Sequence, residues 1–456
     1  MKKNKKGKVK KTKKPMHKKE FIFNIISLII VILICLYFGV RGFYYYGKQN
    51  ATINKETSTL AAEVIKNNTI TKEETGLHQD ENGYYFKGKV TNNYVKFANR
   101  YFRIIRINND NTTKLISEDV AASFPWGDEE SYQKSNLSLW LNKTENEYSG
   151  VYYDTIPNQN KFLVKTEYSE DTLESSKVKQ QKEKEKAYIS TLTINDYIMA
   201  SGKNSYLNNS KYFWLLGLDN DKMNLYVNEE GSVESSTSYE SYGVRAVITF
   251  KKDIKISAGD GSLSNPYVID QKNDINYVDS YVKLGNDTWK VYQDKSNVLK
   301  LSLDGYVQDK TGEYQAAFSN KSSLYDPLNR YNIAYYLNKT YYSNLSYNNL
   351  ILESNFNIGE ISADEGYSYL NIYKDSISNK VGLLNIFDYN TNTNLSDYYF
   401  LNKTSTVGSM AYIYSNTGLL EEDEVTTKKH VVPTISIDKN ILKQGTGSKE
   451  DPYRVE

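Results

Sequence analysis

The chain has 456 residues and a formal net charge of +2, and it contains 42 tyrosines but only three histidines and one cysteine. The shortage of histidine and cysteine excludes most zinc sites, thiol chemistry and Ser-His-Asp catalysis, while the length allows two hydrophobic cores. The small net charge conceals a division, because the first twenty residues carry eleven lysines and a single acid, and the remainder is net acidic.

An apolar stretch follows this basic tail. Phe21–Val40 contains no charged residue, and twenty helical residues at about 1.5 Å each match the ~30 Å hydrocarbon core of a bilayer. Lysines beside such a stretch mark its cytoplasmic side. The sequence therefore predicts a basic cytoplasmic tail (1–20), a single transmembrane helix (21–40) that anchors the protein in the cell membrane, and an extracellular remainder. A tail in this position orients the membrane span, so no nucleic-acid partner is predicted.

A cleavable signal peptide is the alternative interpretation of the same residues. The apolar run exceeds an ordinary signal core, and Arg41 stands where a cleavage site requires a small neutral residue. Cys35 follows Leu-Ile and lacks the small preceding residue of a lipoprotein site, so we interpret it as a membrane residue. Since there is no other cysteine, the extracellular part forms no intrachain disulfide and depends on packed cores.

Residues 41–75 are mostly polar, and we interpret them as a stalk. Within this segment Leu60, Ala61, Val64 and Ile65 have the spacing of one helical face. Such a short stripe would make only a marginal interface with a second copy of the chain.

Residues 76–270 are predicted to form a first extracellular repeat. Runs of aromatic and β-branched residues, broken by Asn and Gly, are typical of short strands. The period becomes helical at Ser135–Asn142, where Ser135 can cap the helix, and Thr193 can cap a second short helix. The charged run Glu167–Lys186 is interpreted as a solvated helix or a mobile insertion.

Segments of this repeat recur in the same order further along the chain. The closing segment Asp253–Asp270 is matched by Asn440–Val455, with Pro266 and Pro452 at equivalent positions. These ordered matches predict a tandem duplication in which residues 271–456 form a second repeat. The predicted fold is therefore α+β and β-rich, with a transmembrane helix followed by two tandem repeats of antiparallel strands and short helices.

Some of the matched segments contain a charged residue, and others belong to a predicted helix. Lys300-Leu301 answers Lys114-Leu115, and Asn385–Tyr389 answers the start of the helix after Thr193. A Leu-Asn-Lys-Thr sequence is identical in both repeats at the end of the first short helix. The matches extend to the last strand, where Val431–Ile437 answers Val244–Phe250.

Six short segments of the first repeat match the typical elements of a known family: Gly83–Gly88, Asn93–Phe97, Phe102–Ile107, Trp140–Asn142, Asp196-Tyr197 and Gly243–Ala246. Through these segments the repeat resembles a family of uncharacterised exported or membrane-anchored surface proteins of low-GC Gram-positive bacteria. The chain departs from the family pattern at Phe102, Ala246 and Val432, which argues against a catalytic residue common to both repeats. The resemblance implies a surface location and this architecture, but no activity. A remoter likeness to C-type-lectin-like folds rests on the helices between strands and the late Trp and Gly-Val-Arg elements.

Trp126, Trp140 and Arg245 are the candidate ligand-binding residues. A Trp ring can stack on a sugar, although a Trp on the apolar stripe of a short helix usually packs in the core. Arg245 lies in a predicted strand, where its common role is a structural pair with a carboxylate. Asp128–Glu130, beside Trp126, are either the acids of a glycosidase or a solvated turn.

Motifs for metals and cofactors are missing from the sequence. Asp110, Asp219 and Asp221 offer oxygen ligands, but none has the spacing of a twelve-residue calcium loop. There is no Gly-x-Ser-x-Gly elbow and no phosphate-binding loop. We therefore predict no metal, no cofactor and no catalytic residue.

Two classes of function remain. The first is a non-catalytic surface module for binding or adhesion, with a glycan, a cell-wall polymer or a protein as its ligand. Duplication, anchoring, abundant tyrosine and the scarcity of catalytic side chains favour it, and the chain is predicted not to be an enzyme. The second is a carboxylate-dependent extracellular hydrolase acting on glycan or cell wall, which requires two acids that meet in one cleft.

The predicted topology can be tested by adding protease to intact cells that express the full chain. We expect the extracellular region to be digested and a small membrane-bound fragment with the basic tail to survive, because only residues 1–40 are shielded. A processed soluble protein in the medium would instead support the signal peptide.

Overall fold

A computed structural model describes Tyr37 and residues 58–455, apart from 128–130, 273, 275, 362–367 and 405–409. The predicted basic tail and, except for Tyr37, the predicted membrane span lie outside the described residues. Within the described part, every helix is too short or too polar to cross a bilayer. From Ser58 onward the chain forms one compact unit, whose first half (58–270) and second half (271–455) are built alike.

The apolar stripe before the first repeat forms the predicted helix, Leu60–Asn67. Thr59 caps it, because its hydroxyl accepts a hydrogen bond from the amide of Ala62. Leu60 is buried together with Val64, and the Leu60 amide donates to the Ile254 carbonyl at 2.8 Å. This part of the predicted stalk therefore packs on the first half.

The first half contains two main sheets, and central strands such as Val247–Phe250 and Asn224–Val227 are buried along their whole length. In the first sheet, the neighbouring strands are, in order, Ile189–Ser190, Val247–Phe250, Thr113–Ser117, Arg100–Asn108, Tyr94–Phe97, Tyr267–Ile269 and Ile256–Ala258, while Gly83–Lys87 pairs with Arg100–Asn108 and with Gly76–Asp80. In the second sheet, they are Val233–Ser236, Asn224–Val227, Phe213–Leu218, Ser241–Val244 and Ala122–Pro125, with Leu192–Thr193 and Thr172–Glu174 beside Phe213–Leu218 and Lys177–Lys179 beside Thr172–Glu174.

The second half repeats this strand order with fewer strands, since its described residues form no counterpart of the strands Gly76–Asp80, Gly83–Lys87 or Ile256–Ala258. Its first sheet runs Val381–Gly382, Thr434–Asp438, Val298–Leu303, Asp287–Lys295, Tyr281–Leu284 and Tyr453–Arg454. Its second sheet runs Gln315–Ala317, Lys428–His430, Tyr398–Lys403, Met410–Tyr414 and Leu420–Glu424. Two ribbons complete it, Gln308–Asp309 with Gly312–Glu313 and Ser354–Asn357 with Ser376–Asn379. The fold is thus α+β and β-rich, as predicted.

The recurring Gly-x-Gly segment closes the first sheet of each half. Gly259 and Gly445 have φ values of +110° and +94°. A Cβ atom on Gly259 would lie 1.9 Å from the Pro266 carbonyl oxygen, and one on Gly445 would lie 2.1 Å from the Pro452 carbonyl oxygen. Only glycine allows this turn. It returns the chain so that Tyr267 enters a strand parallel to Tyr94–Phe97 and Tyr453 enters a strand parallel to Tyr281–Leu284.

The helices are short and connect the strands. The α-helices are Leu60–Asn67, Asn136–Leu141, Gln159–Phe162, Ile194–Met199, Ile333–Tyr335 and Tyr342–Asn344, the last two joined by the π-helical Tyr336–Tyr341. The 3₁₀-helices are Tyr132–Lys134, Tyr153–Thr155, Gly202–Asn204, Asn348–Leu350, Tyr369–Lys374 and Lys439–Ile441. Ser135 and Thr193 cap their helices through side-chain oxygens, which confirms both predicted caps.

The prediction for the charged run Glu167–Lys186 is wrong. This run overlaps four short strands: Thr166–Tyr168, Thr172–Glu174, Lys177–Lys179 and Glu185–Ala187. Thr166–Tyr168 pairs with Glu185–Ala187, so the backbone hydrogen bonds of the run are satisfied across strands and not within a helix. Charged side chains suit such exposed ribbons, whose edges they protect.

The two halves share buried contacts. Trp140 of the first half donates its indole N–H to the carbonyl of Phe387 in the second half at 2.7 Å. The ring of Phe387 lies 4.7 Å from that of Phe124, centroid to centroid. One continuous apolar cluster therefore includes residues from both halves.

A buried ion pair also crosses between the halves. The Arg100 Nε atom lies 2.9 Å from the Asp279 carboxylate, and both side chains are less than a tenth exposed. The guanidinium of Arg100 also donates to the hydroxyl of Thr155 at 2.9 Å and lies over the ring of Tyr389 at 4.7 Å. The pair is thus hydrogen-bonded and enclosed by aromatic groups, as buried charges require.

Replacing Asp279 tests how strongly this pair holds the halves together. We expect Asp279→Ala to lower the free energy of unfolding by about 3–5 kcal/mol, because Arg100 would stay buried without its counter-charge. Urea unfolding of the full chain measures the difference. The matched control is Glu174→Ala in the exposed pair of Glu174 and Lys179, where the loss should stay below about 1 kcal/mol. Equal losses in the two variants would contradict a special role of the Arg100 pair.

Candidate functional site

A cavity with a volume of about 610 Å³ lies between the two halves. Its walls combine carboxylates, amides, hydroxyls, two lysines and four tyrosines. The first half contributes Glu147, Tyr148, Ser149, Val151, Asp154, Thr155 and Gln159. The second half contributes Val278, Tyr292–Ser296, Lys300, Ser354, Asn355, Asn357, Tyr373, Asp388 and Tyr389. Neither half forms this cavity alone.

Two tyrosines, one from each half, are stacked at the cavity. The rings of Tyr148 and Tyr373 are 4.2 Å apart and inclined by 14°. Tyr369 fixes this arrangement, since its hydroxyl donates to the Tyr148 carbonyl at 2.9 Å. The Tyr148 side chain remains 40% exposed. A ring that is held in place and still accessible offers a planar surface on which a ligand can stack.

Lys300 and Asp388 line the same cavity from the second half. The main chain of Lys300 pairs with both neighbouring strands, whereas its ammonium group has no hydrogen-bond or ion-pair partner among the described residues. One oxygen of Asp388 accepts a hydrogen bond from the Asn385 amide at 2.9 Å. Burial raises the pKa of the Asp388 carboxyl above its ordinary value, and the positive charge of Lys300 partly offsets this rise. The lysine and the carboxylate are therefore close enough to interact through space but do not form a closed pair.

The equivalent residues in the first half, Lys114 and Asp196, do form a closed pair. The Lys114 Nζ atom lies 2.5 Å from Asp196 Oδ2, and the Thr193 hydroxyl donates to the same oxygen at 2.8 Å. In this half the lysine and the carboxylate satisfy each other. Lys300 and Asp388 of the second half therefore differ from their counterparts, because they do not form an ion pair with each other.

The strand register establishes that these positions correspond. Lys114 pairs with Arg106 directly after a bulge in the neighbouring strand, and Lys300 pairs with Gln293 directly after a bulge in the same place. The segments that carry the two carboxylates also correspond, but only Asp196 lies on a helix. Asp388 lies in a turn closed by its amide, which donates to the Asn385 carbonyl at 3.0 Å. The predicted match is thus right in position, whereas the local structure differs.

The charges in the cavity suit a polar ligand. Its carboxylates belong to Glu147, Asp154, Asp294 and Asp388, and its ammonium groups to Lys295 and Lys300. Carboxylates accept hydrogen bonds from hydroxyl-rich ligands, and amides both accept and donate them. Tyrosine rings pack on the apolar faces of such ligands. The arrangement can therefore hold a saccharide or a short polar peptide.

The two candidate tryptophans are core residues. Trp126 is buried against the rings of Tyr132 and Trp214. Trp140 is fully buried and uses its indole N–H to bind the Phe387 carbonyl. Neither ring is accessible to a ligand, although Trp140 helps to join the halves that form the cavity.

Arg245 is also buried, but its partners differ from the expected carboxylate. Its guanidinium donates to the carbonyls of Ser117 and Leu207 and lies 5.0 Å from the Phe213 ring centroid. Among the described residues, no carboxylate is within ion-pair distance of it. Burial lowers the pKa of Arg245. Arg245 therefore connects chain segments through these hydrogen bonds and is not accessible to solvent.

The remaining sequence candidates do not form a site in the described part. Asp128–Glu130 lie outside the described residues. Asp219 accepts hydrogen bonds from the amides of Asp221 and Met223 and stabilises its own turn. In the regions that the structure describes, no three His, Cys, Asp or Glu side chains are grouped as metal ligands.

Comparisons of the chain with protein-family models, with curated proteins and with solved structures gave no match.

Asp388→Asn tests whether the pKa of the buried Asp388 carboxyl is raised in the folded protein. Because the pKa of Asp388 is raised in the folded state, ionisation of this group opposes folding, and the loss of stability grows as the pH rises above the ordinary Asp value. We expect the variant to have a higher free energy of unfolding at pH 7 and to lose this advantage at acidic pH. Urea unfolding across the pH range measures it.

Asp196→Asn is the matched control in the first half. It breaks the closed pair with Lys114, so the variant should be less stable than the parent at pH 7. A loss of stability at neutral pH in both variants would show that Asp388 is an ordinary structural carboxylate.

Proposed function

We propose that the protein is a single-pass membrane protein of the bacterial cell surface, with its N-terminus in the cytoplasm and its folded region outside. The lysine-rich tail beside Phe21–Val40 supports this topology. We also propose that residues 76–270 and 271–456 arose by duplication within the surface-protein family that they resemble. The equal strand orders of the two halves support the duplication.

The function that we propose for the folded region is non-catalytic binding or adhesion, with an extracellular glycan, cell-wall polymer or protein as the ligand. A single observation carries it: Lys300 and Asp388 line the 610 Å³ cavity without forming an ion pair with each other, whereas their counterparts Lys114 and Asp196 do form one. Unpaired polar groups in a cavity favour a ligand that satisfies them. The accessible ring of Tyr148 favours a saccharide among these ligands.

A hydrolase is the second candidate, and one observation favours it. Asp388, whose pKa is raised by burial, shares the cavity with Glu147, Asp154 and Asp294. A glycosidase of the common type uses one protonated and one ionised carboxyl group on opposite sides of the bond that it cleaves. The cavity thus contains the residue types for such a pair.

Binding of the full chain, purified in detergent, to glycan arrays and to cell-wall fragments tests the proposal. We expect Tyr148→Ala to weaken binding roughly tenfold, which corresponds to about 1.4 kcal/mol, because it removes the stacking surface. Tyr239→Ala is the matched control, since Tyr239 is exposed to a similar degree but does not line the cavity. Equal binding by the parent and Tyr148→Ala would place the ligand elsewhere.

The same preparations distinguish the two candidates. Binding without release of soluble fragments, with weaker binding by Lys300→Met, is expected of the binding module. Turnover of a glycan or wall polymer that is lost in Asp388→Asn would establish the hydrolase instead.

A further inference from the structure

A second, smaller cavity lies at the same interface and has a volume of about 200 Å³. The first half contributes Arg100 and Tyr152 to its wall, and the second half contributes Asp279, Lys290 and Thr391. Tyr389 is the residue that also lines the larger cavity. The smaller cavity thus has a wall of its own, built around the ion pair that joins the halves.

The buried charges of this wall do not balance. Asp279 is the one buried carboxylate, and one of its oxygens lies 2.9 Å from Arg100 Nε and accepts the Tyr389 hydroxyl at 2.9 Å. Lys290 lies 3.7 Å from the other oxygen and donates to the Thr391 carbonyl at 2.7 Å. Two cations therefore share a single buried anion, since the second carboxylate of the wall, Asp119, is exposed to solvent. The Lys290 ammonium group lines the cavity beside them.

Two hydroxyl groups in the wall are buried without a partner. Neither the Tyr152 hydroxyl nor the Thr391 Oγ1 atom forms a hydrogen bond of good geometry within the described part of the chain, although the Arg100 guanidinium lies beside the Tyr152 hydroxyl. Both residues are more than nine-tenths buried. Burial raises the pKa of Tyr152, so its hydroxyl keeps the proton that it can donate. Other buried hydroxyls of the structure also lack a protein partner, but these two line one cavity together. A group bound in that cavity could accept a hydrogen bond from both.

At the corresponding position of the first half, protein groups satisfy the cationic side chain. Arg103 occupies the place of Lys290, because each is opposite the equivalent tyrosine in its ladder. Its guanidinium donates to Asn93 Oδ1 and to the Val90 carbonyl, both at 2.7 Å, and it lies 3.5 Å from the Glu118 carboxylate. Protein groups thus satisfy Arg103, whereas Lys290 keeps donor capacity for a ligand.

We propose that the 200 Å³ cavity binds a small oxyanion, a carboxylate or phosphate group, between the two halves. Lys290 and Arg100 supply the positive charge, and the hydroxyls of Tyr152 and Thr391 donate hydrogen bonds to its oxygens. This site does not depend on what the larger cavity binds, because the groups that would hold the anion line the smaller cavity.

Calorimetric titration of the full chain with sodium phosphate and with sodium acetate tests the site, at constant ionic strength maintained with chloride. We expect saturable binding of one anion per chain and a rise in melting temperature with the anion that binds. Preference for phosphate or for acetate identifies which oxyanion the site takes. Absence of saturable binding by both would overturn the proposal and leave a water-filled cavity.

Three variants locate the binding in the cavity. Tyr152→Phe and Thr391→Val each remove an unpartnered hydroxyl, so without anion they should melt at or above the parent temperature, yet bind the anion at least fivefold more weakly. Lys290→Met should weaken binding by tenfold or more. Tyr414→Phe is the matched control, since its buried hydroxyl also lacks a partner but does not line the cavity.

The stability of the two hydroxyl variants separates binding from folding. A folded Tyr152→Phe protein that retains the parent affinity would contradict the proposal, as would an equal loss of affinity in Tyr414→Phe. Loss of affinity confined to the cavity variants, at unchanged or higher stability, would support it.

Discussion

The buried ion pair between Arg100 and Asp279 determines how the two halves meet. Removing two charges from water is costly, and the cost is offset here only because Thr155 and Tyr389 supply hydrogen bonds and an aromatic surface from both halves. This requirement fixes the orientation of one half relative to the other. Both cavities depend on it, since each is lined by residues of both halves.

The sequence predicts well those features that depend on neighbouring residues. The helix at Leu60–Asn67 and the caps Ser135 and Thr193 follow from spacing and side-chain chemistry within one turn. The charged run Glu167–Lys186 was misassigned because its strands are stabilised by partners that are distant in the sequence. Composition alone indicates that such a run is exposed, but not that it pairs.

The candidate site could not be predicted from single motifs, because its residues come from segments far apart in the chain. Trp126 and Arg245 attract attention as residue types, yet their size and charge are used in the core. The useful signal was present in the internal match of Lys300 with Lys114, which the ladder register supports. The sequence match does not show that Lys114 and Asp196 form an ion pair whereas Lys300 and Asp388 do not. This difference depends on the path of the turn at Asp388.

Differences between duplicated halves are more informative than either half alone. Where Lys114 and Arg103 are satisfied by their own half, Lys300 and Lys290 are left facing cavities at the interface. Both open positions belong to the second half, and both are completed by residues of the first. A ligand at either place would contact both halves, so its binding free energy adds to the stability of their interface, and a firmer interface strengthens binding in return. A ligand bound at this interface would therefore couple recognition to the stability of the fold.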